Sequence, residues 1–186
     1  MLEVGCGDGE LACALDAAGY DVLAIDPDAP EGPIFRQTTI EELDDPGPFD
    51  AVVAVRSLHH VNPLGEALEK LARLAPLIVV DEFAPDRINA ATQDWYEGQY
   101  RLLAAAGHDP PAPPSLDEWR TRHADLHPSS TLLAAFDERW ERRSVGWEPY
   151  FYRWLRGPAT ESLERTLIDA GLIQAIGYRY VGERRA

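Results

Sequence analysis

Three glycines at alternate positions, Gly5, Gly7 and Gly9, follow a short apolar stretch, Leu2-Glu3-Val4, and an acid, Asp26, ends the next apolar stretch. Glycine has no Cβ, so a turn with this spacing lets backbone N–H groups approach a ligand closely. Where such a turn leads into a helix, the helix N-terminus faces the same ligand. An acid at the end of the second strand is where an α/β sheet meets a ribose. Residue types and spacing thus predict a nucleotide-type cofactor site at the start of the chain, spanning Gly5, Cys6, Gly7, Asp8 and Gly9 and reaching Asp26.

Histidines are the other candidates for chemistry. His59 and His60 lie after the apolar run Asp50–Val55, and His127 lies after a break between helices. At the C-terminal edge of a strand a histidine serves as general base or substrate contact, and His60 and His127 are the predicted catalytic residues. The competing reading of the pair is that one packs against the next helix while the other caps it or faces solvent. Asp81-Glu82 ends a fifth apolar run, either beside the pocket or as a solvated strand end. Trp147, Tyr150, Phe151, Tyr152 and Trp154 form an aromatic segment. These rings line an apolar pocket with cation–π capacity, or, for at least three of them, pack helices onto the sheet. Lys70, the only lysine, stands mid-helix among charges and has no Schiff-base setting. Two cysteines make neither a disulfide framework nor a zinc site, and no metal is expected. Cys13 reads as a small core residue.

Alternating patterns supply the elements that hold these groups. Strands are expected at Leu2–Val4, Tyr20–Ile25, Ile34–Thr38, Asp50–Val55 and Leu77–Val80. Helices are expected at Glu10–Ala18, with Leu11, Leu15 and Ala18 on one face and Gly19 at its end, and from Pro63 to Leu74. Asp26–Pro33 is too rich in proline for much helix, Ile40–Leu43 makes one turn, and Asp45–Pro48 is a turn. After Pro85 a helix is expected over Asn89–Ala106 with Trp95, Leu102 and Leu103 inward. Ser115–Glu118 reads as a capping box opening another helix, and Ser129–Phe136 as a short one. Glu138–Trp147 and Ile173–Arg184 read as strands, and Thr160–Ala170 as a helix capped by Thr160 and closed by Gly171. Tyr150–Leu155 fits neither pattern. The fold class is α/β, a doubly wound, Rossmann-like sheet of about seven strands. It is mostly parallel, with an antiparallel last strand added between its neighbours and a helical insertion after strand five. The expected divisions are a cofactor-binding half over 1–85, an inserted helical lid over 86–128, and the rest of the same domain over 129–186.

The net charge is −15, and residues 1–85 carry 17 acids against Arg36, Arg56, Lys70 and Arg73. An acidic chain without a basic stripe argues against unaided nucleic-acid binding and favours a cationic ligand near its first half. All five tryptophans fall after residue 86. No run approaches the roughly 18 apolar residues of a membrane span, so no membrane partner is expected, and a reducing cytoplasm is the expected compartment. The oligomeric state is open.

Glu3-x-Gly5-x-Gly7-x-Gly9 with Asp26 resembles the first motif and second-strand acid of class I S-adenosylmethionine-dependent methyltransferases. Phe49–Val61, with its Leu58-His59-His60, is similar to the fourth-strand motif of that family's small-molecule branch, the type 11/12-like enzymes. Leu77–Glu82 is similar to its fifth strand, and residues 86–150 hardly match. The resemblance implies S-adenosyl-L-methionine as cofactor and methyl transfer to an O, N or C acceptor on a small molecule. It implies that the glycine turn, with Glu3, Cys6 and Asp8, passes under the methionine part, and that Asp26 accepts from both ribose hydroxyls. It places adenine near Thr39 and Ile40, with Thr39 where the family commonly has an acid, and Arg56 and Ser57 beside the methionine. The family usually has a helix and a longer strand ahead of the turn, whereas Met1 is already in the strand. The alternative is therefore a non-catalytic, cofactor-binding partner subunit with a truncated start. A nicotinamide-dependent oxidoreductase is a further alternative, but its G-x-G-x-x-G fingerprint meets Glu10 at the third glycine.

Overall fold

The computed structural model describes residues 1–44 and 47–185. Seven strands form one sheet in the order β3-β2-β1-β4-β5-β7-β6. They are β1 (Leu2–Val4), β2 (Leu23–Asp26), β3 (Phe35–Gln37), β4 (Ala51–Val55), β5 (Leu77–Phe83), β6 (Trp140–Glu148) and β7 (Gly177–Arg184). The first five are parallel: Val4 lies beside Ile25 and Ala54, and Val55 beside Asp81. The sheet is mostly parallel with antiparallel strands at its end, and the last strand inserts between β5 and β6. Because β1 sits between β2 and β4, the chain turns one way from it and then the other. Parallel register brings the C-terminal ends of β1, β2, β4 and β5 to one edge, the edge at which such sheets bind ligands.

The helices are α1 (Glu10–Ala17), α2 (Leu64–Leu74), α3 (Ala90–Ala105), α4 (Leu116–Arg122), α5 (Ser129–Arg139), α6 (Phe151–Trp154) and α7 (Glu161–Asp169). Two compact units can be traced. One comprises Met1–Glu82, Ser130–Val145 and Arg179–Ala186, the other Phe83–Ser129 and Gly146–Tyr178. In the first, Cys6, Ala12, Val22, Ala24 and Ala29 form a buried cluster beneath the glycine turn, flanked by Leu15, Ile34 and Phe35. Small residues here let α1 lie close to β1 and β2. In the second, Phe83, Ile88, Tyr96, Trp119, Tyr150, Phe151, Leu155 and Ile176 make an aromatic core.

Several expectations shift, each for a local reason. Strand β2 starts at Leu23, not Tyr20. Gly19 at φ +90° ends α1, and the N–H groups of Gly19 and Tyr20 donate to Asp16 and Leu15, a Schellman closure that uses up those residues. Cys13 is exposed, because α1 buries Ala12 and turns the next position to solvent. Ala18 is exposed too. In α3 Trp95 and Leu103 pack against the aromatic core as expected, and Thr92, Gln93 and Tyr96 are buried beside them, but Leu102 points outward at 65% exposure. Helix α5 continues to Arg139, so β6 begins at Trp140, and β7 begins only at Gly177. Thr160 does not cap α7 with its side chain; its hydroxyl donates to Gly157 O at 2.7 Å. Ser115 and Glu118 do form the expected capping box. The turn read at Asp45–Pro48 begins with Asp45 and Pro46, which lie outside the described residues.

The segment that fitted neither pattern, Tyr150–Leu155, contains the short helix α6. A carboxylate from elsewhere in the same unit explains it. Glu164, fully buried, accepts the N–H groups of Tyr150, Phe151 and Tyr152 at 2.7, 3.1 and 3.1 Å. It thereby satisfies the donors at the start of the helix that lack a partner within it. Burial holds its pKa above the usual carboxylate range, against the lowering effect of these three bonds.

Candidate functional site

The turn after β1 is built by backbone groups. Gly5 and Cys6 donate to Ile25 O at 2.8 and 3.1 Å, and Gly9 donates to Cys6 O at 2.9 Å. Gly5, Gly7 and Gly9 have φ of +75°, +53° and +81°, values that non-glycine residues rarely adopt. Space requires glycine at two of them. A Cβ on Gly5 would lie 2.2 Å from Ser57 Cβ, and one on Gly9 would lie 2.6 Å from the Phe35 ring. At Gly7 a Cβ would meet nothing within 4 Å, so the open face of the turn is there. Asp8, exposed, accepts from Glu10 N at 3.4 Å through Oδ1.

Asp26 closes the turn from β2. Its Oδ2 accepts Gly7 N–H at 3.1 Å and its Oδ1 accepts Asp28 N–H at 2.9 Å. A carboxylate oxygen has two lone pairs, so each keeps acceptor capacity for a ligand hydroxyl.

Glu3 lies beneath the turn, in the middle of β1, and is 2% exposed. Its Oε2 is buried without a hydrogen-bond partner. Burial first, and then the Asp8 charge, push its pKa up to about 7. The Cys6 thiol is pushed up to about 11, chiefly by burial and then by the charges of Glu3 and Asp26. The local field is therefore negative, with one acid that lacks a donor. An orphaned, buried carboxylate oxygen beside an open glycine turn fits a ligand that brings a cationic group. A pyrophosphate would add charge of the wrong sign.

The loop after β4 faces this turn. Arg56 sits at φ +54°, a strained value for a side chain with a Cβ, and its N–H donates to Asp81 O at 2.8 Å. Ser57 Oγ donates to Val4 O at 2.7 Å, tying this loop to the end of β1. Thr39 Oγ1 accepts Glu42 N–H at 3.2 Å, and Ile40 is buried at 3% exposure. Thus Glu3, the glycine turn, Asp26, Arg56 and Ser57 gather at one edge of the sheet. Thr39 and Ile40 follow β3 in the same unit.

His60 is exposed at the end of a 3-10 turn, Leu58–His60, its ring 4.2 Å from that of His59. His127 belongs to the other unit, half-buried ahead of α5. In that unit Tyr150 and Phe151 are core residues, Trp154 packs edge-on against Phe83, and the guanidinium of Arg87 covers the face of Trp147 at 3.8 Å. Lys70 donates to the carbonyls of Glu41 and Leu43 at 3.1 and 2.5 Å, bracing a loop. Among the described residues no cluster of histidine, cysteine or acid residues could hold a metal ion, and no helix is long and apolar enough to cross a membrane.

Of the two readings of Asp81-Glu82, a solvated strand end does not hold for Glu82, whose buried role the sequence reading did not specify. Glu82 is fully buried and accepts from Ser57 N, Leu58 N and His59 Nδ1 at 2.9, 2.7 and 2.5 Å. The signal was present: in β5, Ile78, Val80 and Glu82 share the buried parity.

Among known proteins, the chain is similar to the ubiquinone biosynthesis O-methyltransferase of Rhodopseudomonas palustris (strain HaA2). It is 36% identical over 87 residues, which are 40% of this chain and 34% of that protein. The chain thus spans about a third of the length of the curated relative it matches. Its fold is shared with an S-adenosylmethionine-dependent methyltransferase from Mesorhizobium loti, at TM-score 0.61 and 15% identity, over 98% of this chain and 90% of that one. It is also shared with the magnesium protoporphyrin IX methyltransferase of Synechocystis, solved with bound S-adenosylmethionine, at TM-score 0.53 and 16% identity, over 99% and 69%. The model of the methyltransferase domain matches residues 1–139, which contain the glycine turn, Asp26 and the whole parallel part of the sheet, and the chain belongs to that family.

Proposed function

We propose that the protein transfers a methyl group from S-adenosyl-L-methionine to an O, N or C atom of a small molecule. The observation that carries this reading is the buried, unpartnered Oε2 of Glu3 beneath a glycine turn that is open only at Gly7. The relatives' names and the family support the same chemistry.

Bound there, the cofactor supplies an electrophilic methyl on a sulfonium. The chain's own part is to bind, orient and exclude water. Asp26 offers its remaining acceptor capacity to the ribose hydroxyls. Gly5, Cys6, Gly7, Asp8 and Gly9 present backbone to the methionine part, and Glu3 supplies the negative charge that a cationic group lacks in water-poor surroundings. Thr39 and Ile40 border the adenine, with the Thr39 hydroxyl as the polar group. Arg56 and Ser57 hold the methionine end through the loop after β4. Alignment of donor and acceptor supplies on the order of several kcal/mol in such a reaction. Where the acceptor must first lose a proton, His60 and His127 are the candidates to take it. A reducing cytoplasm is the compartment proposed with this activity.

The test is transfer of a radiolabelled methyl from S-adenosyl-L-methionine to a panel of small phenols, amines and carboxylic acids. Label in an acceptor supports the reading. A chain that binds S-adenosylhomocysteine yet labels none of them supports a cofactor-binding partner subunit instead.

A further inference from the structure

We propose that Glu82 is the positioning residue of this site: it holds the loop after β4 in its ligand-ready place and sets which nitrogen of His59 carries the proton. The proposal rests, for its ligand, on the cofactor reading above.

A carboxylate with no exposure is costly unless donors satisfy it. Glu82 is 0% exposed, and its two oxygens divide the work. Oε1 accepts two consecutive backbone N–H groups, Ser57 at 2.9 Å and Leu58 at 2.7 Å. Oε2 accepts His59 Nδ1 at 2.5 Å. Those N–H groups stand at the start of the 3-10 turn, where a side chain at the cap position ordinarily accepts. Ser57 occupies that position, but its hydroxyl donates to Val4 O instead. Glu82 therefore caps the turn from 25 residues away, and Ser57 is left to bridge β1 and β4. One residue earlier, Asp81 O accepts Arg56 N–H, so the end of β5 grips the loop at successive positions.

The consequence for His59 is chemical. With Nδ1–H donating to Glu82, Nε2 is the lone-pair nitrogen of the neutral ring. Fixing a histidine through its other nitrogen sets both tautomer and orientation. The His60 ring, 4.2 Å from that of His59, packs against a ring that is held in place. Glu82, itself fully buried, acts through Ser57, Leu58 and His59.

The experiment uses the full chain with Glu82→Gln and Glu82→Leu. The Gln amide oxygen still accepts both backbone N–H groups, but its NH2 donates to His59 Nδ1 and drives the ring proton to Nε2. Long-range 15N–1H correlation of the His59 ring should show the lone pair on Nε2 in wild type and on Nδ1 in Glu82→Gln. By calorimetry, Glu82→Gln should bind S-adenosylhomocysteine within about threefold of wild type. A folded Glu82→Leu should bind about tenfold or more weakly, because two buried N–H groups lose their acceptor. The same His59 tautomer in wild type and Glu82→Gln overturns the proposal, as does a folded Glu82→Leu that binds like wild type. If Glu82→Leu does not fold, the tautomer and affinity of Glu82→Gln decide. If wild type binds no S-adenosylhomocysteine, the cofactor reading fails, and the tautomer alone decides the role of Glu82.

Discussion

Gly5 and Ser57 interlock: the Cβ that any other residue would carry at Gly5 falls 2.2 Å from Ser57 Cβ and 2.9 Å from Ser57 Oγ. The same Ser57 hydroxyl donates to Val4 O, one residue before Gly5. The loops after β1 and β4 are thus fitted to each other with no room for a methyl group, while two residues on, at Gly7, there is open space.

That contrast separates two substitutions. Gly5→Ala adds left-handed strain to a clash with the Ser57 side chain and should destabilise the fold by about 3 kcal/mol or more. Gly7→Ala incurs the conformational strain alone, about 1–2 kcal/mol. It also places its methyl on the face where the ligand approaches, so affinity for S-adenosylhomocysteine should fall further than stability does. Urea denaturation and calorimetry on both variants check this. Equal stability losses would mean that the interlock is not tight.

Glu3 makes the stability of the fold sensitive to pH. Its pKa is raised from 4.5 to about 7 in the folded chain, so between those values the folded state holds a proton that the unfolded state has lost. Its contribution therefore favours folding at acid pH and is lost as pH rises through about 7. Glu3→Gln should be more stable than wild type at pH 8, by on the order of 3 kcal/mol, with the difference shrinking toward pH 5. A cationic ligand favours the ionised carboxylate, so wild type should release a proton on binding near pH 6.5. Calorimetry in buffers of different ionisation enthalpy measures that proton. A variant no more stable than wild type at pH 8 would show that Glu3 is not held protonated.

In the second unit Glu164 serves three backbone N–H groups at the start of α6. Glu164→Ala leaves them without an acceptor and should cost about 3 kcal/mol, at about 1 kcal/mol or more for each lost partner. Glu164→Gln keeps one strong acceptor and should fall between. Since Tyr150, Phe151 and Trp154 depend on this cap, near-ultraviolet circular dichroism should weaken in the Ala variant. An unchanged aromatic signal at unchanged stability contradicts the capping role.

What could be read in the sequence follows from the range of the interactions. The glycine turn, Asp26 and the Ser115 capping box depend on residues a few positions apart or on strand ends, and their types alone specify them. The gap left for β7 between β5 and β6 follows from a helix-linked last strand. Glu82 and Glu164 depend on partners 12 to 25 residues away, so the sequence shows two ordinary acids. The parity of Ile78, Val80 and Glu82 hinted at the first, and nothing near Glu164 hints at the second. Cys13 and Leu102 went astray because short or weakly patterned helices do not declare which side they bury. The aromatic run at 147–154 looked like a ligand surface in part, and most of it is core, with Trp147 already covered by Arg87.

The cofactor site proposed for this chain is the Gly5–Gly9 turn with Asp26. Titration of S-adenosylhomocysteine into the wild-type chain and into Asp26→Ala, followed calorimetrically, tests it most directly. Wild type should bind one equivalent, and affinity should be lower by about tenfold or more in Asp26→Ala, since the ribose and Gly7 N–H both lose their acceptor. Equal affinity in the two proteins, or no binding by wild type, would contradict it.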